Sequence, residues 1–487
     1  MHVKASALAA AQSDPYQASG MQMNSHQIRF DADLVRRYDR SGPRYTSYPT
    51  AVQFTDHFGI NEYRAAAAAS NQDPIPRPLS LYVHIPFCSS PCFYCGCTKV
   101  ITRNHEKAEA YLYRLHREIE LQGELFDRDR EVEQLHFGGG TPTFLTSLEI
   151  ERLIDKLGQH FKLSKSDDRE YSIELDPRTI TTDTLRDLYK VGFNRCSLGI
   201  QDFDPEVQVA VNRIQSVPDT LRLIREAREF GFNSVSVDLI YGLPKQSVAG
   251  FSKTLDTVLS AKPDRFAVYA YAHLPQIFKP QTQIKIEDLA TPETRLQLLG
   301  LTIEKLSDAG YIYIGMDHFA LPGDELVVAQ ENGTLHRNFQ GYSTRGYCDL
   351  IGLGVSSIGK IGDNYTQNQK TLPEYYGALD RGILPMHRGY SLTRDDIIRR
   401  DVIQQIMCYG VLDFEATAAR HGIDFRSYFA SELVALEPMV ADGLAEFAAP
   451  GLRVLPAGHL LLRHLGMAFD AYLSAATAAG KRFSKAI

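Results

Sequence analysis

From Pro78 to Tyr271 the sequence alternates short apolar runs with amphipathic stretches, and this alternation limits the fold more than any other feature. Runs rich in Val, Ile, Leu and Tyr read as strands at 79–85, 134–137, 171–175, 195–200, 234–240 and 265–271. Most intervals between them carry helical spacing, as Leu112, Leu115 and Ile119 do in the first. A strand that follows a crossover helix lies parallel to its predecessor, so the fold class is α/β with a parallel sheet. The chemically distinctive residues stand at the carboxyl ends of these strands. A cysteine loop follows the first, and Gly138-Gly139-Gly140-Thr141-Pro142 follows the second. Glu174 and Asp176 close the third, Gln201 the fourth, Asp238 the fifth, and Ala272-His273 the sixth. Active sites of parallel α/β folds lie at that edge, so these residues are expected to share one site.

The cysteine loop sharpens the chemistry. Four of the seven cysteines fall between Cys88 and Cys97, at positions 88, 92, 95 and 97. Crowded thiolates repel unless a cation or cluster absorbs their charge, so the loop reads as a metal or iron–sulfur ligand set. The spacing of Cys88, Cys92 and Cys95 suits a four-iron cluster with one iron left open, and a structural zinc site is the competing reading. Cys196, Cys348 and Cys408 are scattered singly and read as reduced thiols. The glycine run fits a backbone that approaches a ligand closely, with amides free to bind a carboxylate, or else a plain strand-to-helix turn.

Other features set the bounds. A net charge of −7 gives no long-range attraction to nucleic acid or an anionic membrane. No apolar run reaches membrane-span length and no signal-like stretch opens the chain, so a cytoplasmic location is expected. Residues 1–27 read as a flexible extension, 28–365 as the catalytic domain, and 366–487 as a mostly helical domain. Helices are expected at 373–379, 394–409 and around 428–436, before a winged-helix-like hairpin with a closing helix. Single histidines (His84, His273, His318, His336) read as packed, hydrogen-bonded residues. Asp395-Asp396 beside Arg399-Arg400 reads as a helix ion-pair network.

Tyr82-Val-His-Ile-Pro-Phe-Cys88 through Cys97 resembles the signature of radical S-adenosylmethionine (SAM) enzymes. Within that superfamily the chain is similar to the oxygen-independent coproporphyrinogen III oxidases. The likeness extends through Arg44–Thr50, Gly138–Pro142, Ser172–Pro177, Asp238–Lys245, Tyr271–Pro275, Gly315–Ala320, Arg337–Tyr342 and Arg399–Val402. It implies a partial (β/α)6 barrel with a winged-helix-like C-terminal domain. It also implies a [4Fe–4S] cluster held by Cys88, Cys92 and Cys95, with Cys97 a family feature rather than a ligand. Two SAM molecules are implied as co-substrates. Tyr82, Gly139, Glu174 and Ile358 match residues around the first, and Tyr94, Gly140, Thr141, Gln201, Arg213, Asp238 and Ala272 match those around the second. Gln340 lies in a later matching segment. The implied reaction converts the ring A and B propionates of coproporphyrinogen III to vinyl groups in heme biosynthesis, giving protoporphyrinogen IX.

Four propionates call for cationic or hydroxyl donors, and Arg44, Tyr45 and Tyr48 are the expected substrate contacts. The competing reading makes their segment a docking strap packed on the barrel. The implied partners are an electron donor such as flavodoxin or ferredoxin, with no nucleic acid and no membrane, and the chain is expected to be a monomer. A heme chaperone of the same superfamily is the rival function. Such relatives typically lack the fourth cysteine and carry a His-Asn pair near Arg337-Asn338. A zinc-stabilised nucleic-acid module is the second rival, against which the acidic charge argues.

Overall fold

The computed structural model describes residues 28–473, and the expected flexible extension 1–27 lies outside them. Contacts divide the described residues into two units, one of residues 52–305 and 347–392, the other of 28–51, 306–346 and 393–473.

The first unit carries the sheet. Its strands are β1 (Leu79–Ile85), β2 (Glu131–Gly139), β3 (Glu170–Leu175), β4 (Arg195–Gln201), β5 (Ser234–Tyr241) and β6 (Arg265–Ala270). They are followed by β7 (Asp349–Leu353), β8 (Ile358–Ile361), β9 (Asn364–Asn368) and β10 (Met386–Ser391). Strands β1 to β6 lie side by side in chain order and all run parallel. Between them run α1 (Glu106–Gly123), α2 (Ser147–His160), α3 (Thr182–Lys190), α4 (Val217–Phe230) and α5 (Val248–Ser260). This is the open (β/α)6 barrel, and every carboxyl strand end reaches the same edge. Strand β7 adds parallel to β1 on its other side, and β8 to β10 continue antiparallel.

Local sequence explains these elements. One face of the strands is fully buried, with Leu81, Val83, Leu135, Phe137, Ile173 and Leu198 in the core, while alternate positions of β3 and β5 are half-buried on the face that carries Glu174 and Asp238. Thr146, Thr181, Ser216 and Ser247 cap α2 to α5 through their hydroxyls, and Gly231 ends α4 in a left-handed conformation. The expected domain boundary near residue 365 falls inside this sheet. Strands β9 and β10 pair with each other across it, so the change of unit comes between residues 392 and 393.

In the second unit the helix Arg394–Tyr409 packs with Phe414–His421 and Ala430–Ala441 around Val402, Ile406, Phe414, Phe425, Phe429 and Phe469. The hairpin of Ala445–Ala448 and Gly451–Val454 pairs with Val411–Asp413, and Leu462–Met467 closes the winged-helix-like arrangement. Of the expected ion-pair network, Asp395 does bridge Arg399 (2.8 Å). Asp396 is instead buried, where its carboxylate accepts from Thr393 in a capping box. No helix among the described residues is long and apolar enough to cross a membrane.

Candidate radical SAM site

The cysteine loop leaves the carboxyl end of β1 and is clasped by a short parallel pairing of Phe87–Cys88 with Val100–Ile101. The Phe93 amide donates to the Val211 carbonyl (2.9 Å), and Asn212 Nδ2 donates to the Pro91 carbonyl (2.7 Å). Anchored in this way, Cys88, Cys92 and Cys95 line a cavity of about 320 Å³. Tyr94, Gly139, Gly140, Thr141, Glu174, Gln201, Arg213 and Asp238 line the same cavity. The expectation that the strand ends share one site is met for all of these.

The thiols differ in their surroundings. Cys88 Sγ lies 3.4 Å from the Thr141 hydroxyl, and burial pushes its thiol up to about 11. Cys92 Sγ accepts from Arg213 Nη1 (3.4 Å) and Arg178 Nη2 (3.5 Å). A hydrogen bond from Cys97 and the nearby Lys99 ammonium draw the Cys95 thiol well down, against its burial. Cys97 itself is exposed, and its amide points at Cys95 Sγ (3.5 Å). Among the described residues no three His, Cys, Asp or Glu side chains gather as one metal ion requires. Thiols that share a cavity without converging on one point suit a multi-iron cluster better than zinc.

Glycine is required around the second strand end for steric reasons. A Cβ on Gly138 would lie 2.8 Å from the Glu174 carboxylate, and one on Gly140 would lie 2.8 Å from the Phe87 carbonyl. Gly139 has φ +120° and abuts His84. The expectation of free amides is not met. Gly139 N donates to Glu174 Oε2 (3.2 Å), Gly140 N to the Ile85 carbonyl (2.9 Å) and Thr141 N to the Phe87 carbonyl (2.8 Å). Tight docking of this turn on the β1 loop consumes the donors, which makes the run an acceptor surface.

The later strand ends are shaped by backbone irregularity. The β4–β5 register shifts between Gly199 and Gln201, and Gln201 takes a left-handed conformation with φ +66°. That bulge re-aims the side chain into the cavity, where its Oε1 is buried without a hydrogen-bond partner. Burial and the neighbouring Glu174 raise the Asp238 carboxyl to about 7, with Arg213 opposing. Burial also works against ionised Asp176, but Arg213 and Arg178 hold that carboxyl below its usual range.

Three expected residues of this unit lie just outside the lining. The Tyr82 hydroxyl donates to His84 Nδ1 (3.1 Å), and the Tyr82 ring stacks on His136. His84 Nε2 meets the Thr98 carbonyl (3.0 Å), so His84 is the packed histidine expected, as is His273 beside the Tyr271 hydroxyl (2.9 Å). Ile358 opens β8, and its backbone abuts Gly352, the register partner of Tyr82. The Ala272 carbonyl accepts from Gln281 Nε2 (3.1 Å), which also donates to the Tyr94 carbonyl (2.9 Å). Sequence reasoning missed Gln281, Lys99 and Arg178. Only Arg178 left a signal, two residues beyond Asp176.

The remaining expected residues belong to the other unit. The Gln340 backbone amide donates to Asn338 Oδ1 (2.9 Å), and its side-chain nitrogen is buried without a hydrogen-bond partner. Arg44 pairs with Asp317 and is partly exposed. Tyr45 and Tyr48 are each 2% exposed. The Tyr45 hydroxyl donates to Asp470 (2.9 Å), and that of Tyr48 accepts from the Ala471 amide (3.0 Å). Their hydroxyls are thus spent within the core that includes Val402 and Phe469, as a strap's would be. The strap's packing partners in this unit are the C-terminal helices.

The chain is similar to known proteins along most of its length. Residues 82–258 match the Radical SAM superfamily, and residues 392–461 match the HemN C-terminal domain. Open parallel barrel, cysteine loop and cavity together define a radical SAM enzyme, a class whose chemistry rests on a [4Fe–4S] cluster and SAM. The oxygen-independent coproporphyrinogen III oxidase of Pseudomonas aeruginosa is 51% identical over 460 residues, 94% of this chain and 99% of that one. That of Escherichia coli is 49% identical over 451 residues, 93% of this chain and 97% of its own. A solved structure of the E. coli enzyme superposes with a TM-score of 0.87 at 48% identity, covering 92% of this chain and all of that one. The chain belongs to the family of oxygen-independent coproporphyrinogen III oxidases.

Proposed function

We propose that this protein oxidatively decarboxylates the ring A and B propionates of coproporphyrinogen III to vinyl groups, giving protoporphyrinogen IX without oxygen. Each conversion removes carbon dioxide, one hydrogen atom and one electron from a propionate, and the electron passes to a separate one-electron acceptor. When bound, a [4Fe–4S] cluster on Cys88, Cys92 and Cys95, with SAM at its open iron, supplies a radical that can take that hydrogen atom. The chain's own task is to bind, orient and exclude water. The observation that carries this reading is the convergence of the three thiols with Glu174, Gln201 and Asp238 on one cavity.

The same residues support two SAM molecules. Tyr82, Gly139, Glu174 and Ile358 are assigned to the one on the cluster; the acceptor surface of the glycine turn and the Glu174 carboxylate suit its ammonium group. Tyr94, Gly140, Thr141, Gln201, Arg213, Asp238 and Ala272 are assigned to the second, with Gln340 as a further contact. The partnerless Gln201 oxygen is ready to accept from a ligand hydroxyl or amine. Arg44 is the substrate contact of the strap, and a small one-electron carrier such as flavodoxin or ferredoxin supplies electrons in the cytoplasm.

The test is anaerobic reconstitution with iron and sulfide, reduction, and incubation with SAM and coproporphyrinogen III. Carbon dioxide and protoporphyrinogen IX are the expected products. Stable heme binding without decarboxylation would replace this reading with the chaperone.

A further inference from the structure

Cys92 is the one cluster-loop thiol that faces two guanidinium groups. The chain leaves β3 through Leu175-Asp176-Pro177-Arg178, where the Arg178 amide donates to Asp176 Oδ1 (3.1 Å). This turn folds Arg178 back onto its own carboxylate. Its Nε donates to Asp176 Oδ1 (3.0 Å) and its Nη2 to Oδ2 (2.6 Å), a two-point pairing that fixes the plane of the guanidinium. The same Nη2 then reaches Cys92 Sγ (3.5 Å), while Nη1 reaches the Asn212 carbonyl (3.4 Å). Arg213 arrives from the turn after the short helix Pro205–Ala210, pairs with Asp176 Oδ2 (3.3 Å) and donates to Cys92 Sγ (3.4 Å). Two cations and one carboxylate therefore surround one sulfur, and a Cys92 thiolate brings the group to neutrality. Cys88 has the Thr141 hydroxyl as its hydrogen-bond partner, and Cys95 has one cation beside it, Lys99, which donates to the Cys95 carbonyl (3.0 Å).

We propose that Arg178, held by Asp176 beside Arg213, sets the reduction potential of the cluster by donating to the Cys92 sulfur. The inference rests on the proposed ligation by Cys92. Adding an electron to a thiolate-bound cluster increases its negative charge, and hydrogen bonds or cations at the ligating sulfur favour the reduced form. Removing one guanidinium lowers the potential. Replacing Asp176 with the isosteric Asn keeps an acceptor that holds Arg178 in place but removes a negative charge beside the sulfur, and raises the potential. A residue that only braced the loop would give no such opposite pair of shifts.

The experiment is a redox titration of the full-length, reconstituted protein without SAM, followed by electron paramagnetic resonance, with iron content measured on each sample. Arg178→Gln is expected to cut the reduced-to-oxidised ratio at fixed poise roughly tenfold, a fall of about 59 mV for one electron. Arg178→Lys is expected to recover part of that fall, and Asp176→Asn to shift the potential upward. Full iron loading with unchanged potentials overturns the inference and leaves the proposed function standing. If Arg178→Gln does not load, Arg178→Lys and Asp176→Asn decide: opposite shifts support the inference, and shifts of one sign or none overturn it. A wild-type protein that takes up no four-iron cluster overturns the proposed function, and this inference with it.

Discussion

The cavity at the barrel edge and the Arg44–Tyr48 segment of the other unit both carry polar and aromatic side chains, yet they spend them differently. In the strap the tyrosine hydroxyls are bonded to Asp470 and Ala471, and the rings sit in an apolar core. In the cavity a partnerless Gln201 oxygen, a half-buried Asp238 and three cysteines are left facing space. Polar groups satisfied by the protein stabilise it; a single leftover, such as the buried Ser47 hydroxyl of the strap, marks little, whereas several left facing one cavity mark where a ligand belongs.

Breaking the cavity side should have the largest effect. Cys88→Ala, Cys92→Ala or Cys95→Ala is expected to reduce iron from about four per chain to near zero and abolish activity. Cys97→Ala should retain its iron; iron loss there, by quantitative assay, would make Cys97 a ligand. Gly140→Ala comes next. With a Cβ 2.8 Å from the Phe87 and Pro86 backbone, it should cost about 1–3 kcal/mol in denaturant unfolding and impair cluster loading.

Asp238 sharpens the comparison through pH. Its carboxyl stands near 7 in the folded protein and near 4 when unfolded, so the folded state binds the extra proton. That contribution is complete below about pH 4 and is lost as pH rises through about 7. Asp238→Asn should therefore gain Tm relative to wild type between pH 5 and pH 8; an equal difference at both ends would remove the buried acid from the account. Gln201→Gly should release roughly 1 kcal/mol of left-handed strain while raising KM for SAM, so stability and binding move in opposite directions. On the strap side the effects are smallest. Tyr45→Phe should cost about 1 kcal/mol of stability with an unchanged substrate KM. Arg44→Ala should raise that KM at full iron loading, whereas loss of iron would leave Arg44 purely structural.

Much of this was legible in the sequence because the core positions of the parallel strands read as short apolar runs. The expected strand 195–200 falls one residue short of the observed Arg195–Gln201, and the expected helix 394–409 coincides with Arg394–Tyr409. The missing residue is Gln201 itself, whose bulge departs from the period of two that exposes strands. The boundary near 365 failed because β9 (Asn-Tyr-Thr-Gln-Asn) is too polar to read as a strand, although it pairs on both edges. The glycine amides looked free because nothing in a Gly-Gly-Gly run reveals that the β1 loop will dock on it. Gln281 acts through tertiary contacts to backbone carbonyls, which leave no spacing to detect, whereas Arg178 left only its place two residues beyond Asp176.

Gln281 has a mechanical consequence. Its single amide nitrogen is shared by two carbonyls, Tyr94 in the cysteine loop and Ala272 after the sixth strand. The segment from Ala272 to Gln281 is therefore geared to the loop between Cys92 and Cys95. A ligand that shifts Ala272 must either stretch that linkage or carry Tyr94 along with it.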